Sequence, residues 1–120
     1  GIPETLVKSF QSRVTEEMIL PLPDRGNGTL SSKASQEILS FLKKRANVLA
    51  VGPGISHDKD MEKLMENLIL SSTAPIVIDA DGLNALAPRI GSVRRAHVPV
   101  VLTPHPGEMT RLLQYGRKRA

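Results

Sequence analysis

Six consecutive residues, Thr103-Pro-His-Pro-Gly-Glu108, carry the side chains with the most chemical reach in this chain. His105 is either an imidazole that contacts a ligand or a capping ring that hydrogen-bonds its own turn. Glu108 either orients a metal-bound water near phosphates or is a first-turn glutamate that caps its own helix. A second group is Asp79-Ala-Asp81 with Asn84. The two aspartates could hold Mg²⁺, and Asp81 is equally an N-cap for the helix through Asn84. Asp79 closes an apolar run, where a buried carboxylate must find a partner. In a third, Gly52-Pro-Gly54, two glycines after a strand let backbone approach closely, which makes room for a ligand and is also ordinary turn chemistry.

The elements that must position these groups can be read from hydrophobic spacing. Val100 to Thr103 is a branched apolar run closed by Pro104, which predicts a buried strand. Gly107 to Leu113 has helical spacing, with Met109, Leu112 and Leu113 on one side, Pro106 in the first turn and Glu108 complementing the helix dipole. Asn47–Val51 and Pro75–Asp79 are two further strands, and Asp58 to about Ser72 is a helix whose Met61, Leu64, Met65, Leu68 and Ile69 form a core stripe. Ser31 and Ser32 are candidate caps for a helix to about Arg45. Nearer the start, Pro3 to about Arg13 reads as a helix with no strand before it. Glu17 to Leu22 reads as a short edge strand, and Asp24 to Gly28 as a turn or mobile loop. After Asp24 the order is helix, strand, helix, strand, helix, strand, helix, the alternation of a parallel sheet with right-handed crossovers. In such a sheet all three chemical turns lie on one edge, the carboxyl end, where α/β folds bind ligands.

Composition narrows the function classes. The chain has 120 residues, enough for one domain at most, and no cysteine. The redox compartment is therefore unread, and what preference the missing cysteine framework carries is for the cytoplasm. No stretch approaches the roughly 20 apolar residues of a membrane span, and the first residues do not read as a signal peptide. Sixteen basic and twelve acidic residues give +4. Arg117, Lys118 and Arg119 supply three of those charges, and Phe10, Phe41 and Tyr115 are the only aromatics, which argues against a nucleic-acid partner. His57 and His97 read as surface residues, and no spacing matches a zinc site. A G-x-S-x-G elbow, a third Rossmann glycine and a Walker lysine are all missing.

Val51-Gly-Pro-Gly-Ile55, Pro75-Ile-Val-Ile-Asp-Ala-Asp-Gly-Leu-Asn-Ala-Leu86 and Val101-Leu-Thr-Pro-His-Pro-Gly-Glu108, in this order, resemble the ADP- or ATP-dependent NAD(P)H-hydrate dehydratases of the ribokinase-like superfamily, formerly described as carbohydrate kinases. The resemblance covers about Gly1 to Leu113. It implies an α/β fold, a three-layer and mostly parallel ribokinase-like sheet flanked by helices, here a partial domain. It also implies that the hydroxyl of (S)-NAD(P)H hydrate is phosphorylated and leaves as phosphate, with ADP or ATP and Mg²⁺ as cofactors. By position, Gly54 and His105 match family residues that contact the hydrated dinucleotide, while Asn84, Glu108 and Asp79 fall in turns near phosphates and metal. His105-x-x-Glu108 resembles the Asn-x-x-Glu signature of ribokinase-like kinases, with histidine for asparagine.

The resemblance also sets expectations for parts of the family's pattern that these 120 residues do not show. The catalytic aspartate of the family sits in a Gly-Thr-Gly-Asp-type motif expected beyond Ala120, as does most of the adenine pocket, and the family's first strands are expected before Gly1. The expectation is a central stretch of the domain, inert on its own. Two rivals remain, a ribokinase-like kinase of a small hydroxylated metabolite and a non-catalytic chain that pairs with itself or a partner through exposed sheet edges. The latter edges also carry the expectation of a homo-oligomer.

Overall fold

The computed structural model describes residues 1–12, 20–26, 29–53, 55 and 58–119. Its centre is a three-stranded parallel sheet of β3 (Leu49–Val51), β4 (Ile76–Ile78) and β5 (Val100–Leu102), in that spatial order. Leu49 faces Ile76 and Ile76 faces Val100; at the other end Val51, Ile78 and Leu102 stand level. This register decides the site, because the three strands stop together and their turns leave the sheet side by side. A second, two-stranded parallel sheet pairs β1 (Ile2–Pro3) with β2 (Pro21–Leu22).

Helices join the strands in the expected alternation: α2 (Ala34–Arg45) before β3, α3 (Lys59–Ser71) between β3 and β4, α4 (Asp81–Leu86) with a 3-10 segment (Ala87–Arg95) between β4 and β5, and α5 (Pro106–Arg119) after β5. The predicted stripe of α3 is fully buried at Met61, Leu64, Met65, Leu68 and Ile69 and packs with Ile76 and Ile78 of the central strand. Burying side chains of this size stabilises by roughly 1.5–3 kcal/mol each. No helix among the described residues is long and apolar enough to cross a membrane.

Several local expectations need correction. The predicted first helix is preceded by β1, then runs as a 3-10 turn (Glu4–Leu6) and α1 (Val7–Gln11). A two-residue strand has no periodicity of its own; β1 exists because Ile2 and Pro3 find Pro21 and Leu22 across the sheet. Arg13 and residues 16–19 lie outside the described residues, as do Asn27, Gly28 and His57. His97 is exposed. The turn after β2 is tied back by an antiparallel bridge from Asp24 to Leu30. Helix α2 begins at Ala34, but Lys33 already has helical angles and the Ser31 hydroxyl accepts its N–H at 3.2 Å, so Ser31 caps the preceding turn. Helix α5 runs past Leu113, and of its apolar side only Leu112 is buried, Met109 and Leu113 being exposed.

Asp58 is the N-cap of α3, its carboxylate accepting the Met61 N–H at 3.0 Å and meeting Arg25 at 2.6 Å. Burial pushes this carboxyl up, but the Arg25 hydrogen bond, the Met61 N–H and the Arg25 charge outweigh it and hold it below its ordinary value. A depressed carboxyl contributes stability that is complete above the unfolded value and is lost as pH falls through the folded one. Asp58→Ala is therefore expected to cost about 1 kcal/mol at neutral pH, the cap supplying most of it because the exposed ion pair is screened. Urea midpoints of variant and wild type should converge as pH falls below about 4.

Candidate functional site

At the ends of β3 and β4 the backbone is packed as closely as glycine permits. Gly52 has φ +140, and a Cβ there would lie 1.7 Å from the Asp79 carbonyl oxygen. Gly82 faces it, where a Cβ would come within 2.8 Å of the Gly52 Cα. The freedom expected of the glycines after β3 is thus spent, at Gly52, on the neighbouring turn of the same chain. The Asp79 N–H donates to Val51 at 3.1 Å and the Thr103 N–H to Ile78 at 3.1 Å, so each strand end is tied to the next. Gly54 lies outside the described residues; its neighbours Pro53 and Ile55 line the end of an apolar cavity of about 560 Å³ running along β3 to Phe41 and Leu42.

The turn after β4 is strained. Ala80 has φ 50 and ψ -129, a region L-residues avoid, and the turn is held there by Gly82 N–H on Asp79 oxygen and Leu83 N–H on Ala80 oxygen at 3.0 and 2.9 Å. Such strain costs of order 1–3 kcal/mol and gathers at functional sites. Asp81 is the first residue of α4 rather than its cap; Ala80 holds the cap position without a side-chain bond. Asp79 is exposed, because β4 ends one residue earlier at Ile78, so its carboxylate is solvated and the expected buried partner is not required. Asn84 is half-buried, donating to Asp81 at 3.2 Å and accepting from Arg111 of α5 at 2.6 Å.

After β5 the histidine and the glutamate cap one helix reciprocally. His105 precedes α5, and its Nδ1 accepts the N–H groups of Gly107 and Glu108 at 3.1 and 3.2 Å. Glu108 returns an oxygen to the His105 N–H at 3.1 Å, and its other oxygen lies 3.3 Å from Nε2. This is the capping-box arrangement with imidazole in place of a hydroxyl. Since Nδ1 accepts, Nε2 carries the ring proton in the neutral form. Glu108 is 7% exposed and its two oxygens are both engaged, whereas the His105 side chain is 65% exposed. The ring's face and edge remain open to a ligand while its nitrogens hold the turn.

The two readings of His105 separate by experiment. His105→Ala is expected to lose about 1 kcal/mol of folding stability while His105→Asn, which can cap, loses only a few tenths. Equal urea midpoints for all three chains would remove the capping role.

The structure therefore brings the three predicted turns together on one edge. Among the described residues, the hydrogen bonds of His105 and Glu108 stay within their own turn, and those of Asn84 reach Asp81 and Arg111. No group of three or more His, Cys, Asp or Glu among the described residues could hold a metal ion. Sequence reasoning missed Arg111, whose one signal is its place three residues after Glu108, and Arg25, which nothing in its local sequence marks.

The sequence of this chain is similar to those of known proteins. The profile of the NAD(P)H-hydrate dehydratase family matches residues 3–118. A bifunctional NAD(P)H-hydrate repair enzyme of Moorella thermoacetica is 41% identical over 113 residues, 94% of this chain and 21% of the relative. One from Thermanaerovibrio acidaminovorans is 37% identical over 113 residues, 94% of this chain and 22% of the relative. An ATP-dependent (S)-NAD(P)H-hydrate dehydratase of the louse Pediculus humanus is 32% identical over 108 residues, 89% of this chain and 33% of the relative. The chain thus spans about a fifth to a third of the length of these curated relatives. With nearly its whole length matched and its three turns level at one sheet edge, this chain belongs to the NAD(P)H-hydrate dehydratase family.

Proposed function

We propose that this chain serves the nucleotide-dependent dehydration of (S)-NAD(P)H hydrate to NAD(P)H, supplying the substrate-side turns. The observation that supports the reading is the level register of Val51, Ile78 and Leu102, which brings the turns that begin at Gly52, Asp79 and Thr103 to one edge of the sheet. The chemistry needs a group that turns hydroxide, a poor leaving group, into phosphate, a good one, and ATP or ADP supplies it when bound. The exposed His105 ring offers a face to the hydrated nicotinamide, and Gly54, by its position in the sequence, is the second substrate contact. The Gly107 and Glu108 N–H groups on Nδ1 fix the ring's tautomer and direction before substrate arrives.

Mg²⁺ is commonly held by one or two carboxylates together with substrate phosphates. Asp79, exposed just after β4, fits that role better than Asp81 or Glu108, which are committed to Asn84 and to the α5 cap. Asn84 hydrogen-bonds Asp81, two residues after Asp79.

The test exchanges the matched stretch of the Moorella relative for this chain and follows NADPH absorbance from the S-hydrate with ATP or ADP and Mg²⁺. Nucleotide-dependent recovery of NADPH is expected. A folded chimaera that recovers none while the parent does, or that phosphorylates a small alcohol instead, overturns the reading.

A further inference from the structure

The side chain of Asn84 sits between two groups of opposite demand. Arg111 has only donors and the Asp81 carboxylate only acceptors. A carboxamide between them satisfies both in a single orientation, oxygen toward Arg111 and nitrogen toward Asp81, and that is the orientation observed, at 2.6 and 3.2 Å. Arg111 lies on α5, one turn beyond Glu108, while Asp81 and Asn84 lie on α4, which begins at the strained Ala80. The line Arg111–Asn84–Asp81 is therefore a polar bridge between the helix that His105 and Glu108 start and the one that follows Asp79. Besides the backbone bond from Thr103 to Ile78, it links the last two turns through side chains. Helix α4 has six residues, too few to hold its own axis by backbone bonds alone.

From this we infer that Arg111 is a positioning residue: it fixes the Asn84 amide, and through it Asp81, so that the Asp79–Asn84 turn and the His105–Glu108 turn keep one relative placement. The inference rests on the proposed function for its catalytic meaning, but not for its structural content. Lysine keeps one donor and the charge at this position, methionine keeps only the stem.

The experiment uses the 120-residue chain. Side-chain amide resonances of Asn84 are recorded for wild type, Arg111→Met and Arg111→Lys, and a double-mutant cycle with Asn84→Ala is measured by urea unfolding. The expected results are a shifted, faster-exchanging Asn84 amide in Arg111→Met, partial return in Arg111→Lys, and a coupling on the order of fivefold in the folding constant. Titration with (S)-NADPH hydrate should show about tenfold weaker binding for Arg111→Met, in the range typical of supporting residues. Arg95→Met, which removes an exposed charge at the end of the 3-10 segment, controls for net charge. An unperturbed Asn84 amide, or additive effects in the cycle, overturns the inference whatever the titration gives. A wild-type chain that binds no hydrate refutes the proposed function instead, so the two failures are distinguishable.

Discussion

Replacing Gly52 by alanine should destabilise the chain by on the order of 4 kcal/mol, a large fraction of the about 5–15 kcal/mol that holds a typical domain folded. Two costs add at this position. The backbone has φ +140, which an L-residue rarely adopts, and the new Cβ would fall 1.7 Å from the Asp79 oxygen and 2.8 Å from its carbonyl carbon. Backbone cannot swing aside as a flexible side chain can. The last rung of the β3–β4 ladder would open, or the Asp79 turn would shift as a unit. Gly26 separates the two costs, since it has φ +83 but nothing within 4 Å of where a methyl group would sit. Gly26→Ala should lose only about 1 kcal/mol. Urea midpoints with unchanged slopes measure both. Similar losses for the two variants would show that conformation alone matters and that the close approach to Asp79 is relaxed in solution.

The second large effect is expected at Ile78, which is fully buried at the end of the central strand. Ile78→Ala leaves a cavity among α3, α4 and the sheet and should cost about 2–5 kcal/mol, whereas Ile78→Val should cost about 1 kcal/mol. Location gives this substitution a reading beyond stability. The Ile78 carbonyl accepts both the Thr103 N–H at 3.1 Å and the Thr103 hydroxyl at 3.3 Å, and its side chain lies against Gly82. Truncation should therefore raise hydrogen exchange at Thr103 more than at Ile76, which lies at the far end of the same strand. Equal increases at the two would mean that the strand loosens as a whole and does not anchor the turn locally.

How far these relations could be read from sequence depends on their range. The α3 stripe was legible because Met61, Leu64, Met65, Leu68 and Ile69 recur at the period of the helix that buries them. The three strands and their parallel alternation were legible for the same reason, each being a short branched run bounded by turn residues. The strand β1 was not, since its two residues are defined by partners nearly twenty positions away. Nor was the 3-10 segment, in which Pro88 and the non-helical angles of Arg89 break any helical period. At the site, sequence marked Gly52, Asp79, Asn84, His105 and Glu108 as unusual and left the cap and ligand readings of His105 open. Reciprocal capping appears only when both side-chain rotamers are placed. For Asp79 the difference is one residue of strand length, which separates a buried carboxylate from a solvated one. Arg111 had only its spacing from Glu108 to mark it, because an arginine on a polar helix is ordinary until the neighbouring helix brings Asn84 to within 2.6 Å.

If the three level turns form one crevice for the hydrated dinucleotide, the isotopically labelled chain must register that ligand at all three of them. Titration with (S)-NADPH hydrate, followed by backbone amide shifts, reads each turn separately. Saturable shifts are expected, concentrated at residues 52–55, 79–84 and 103–108 and weakened together by His105→Ala. Shifts confined to the apolar cavity beside α2, or no saturable shifts in a folded chain, would contradict a shared crevice.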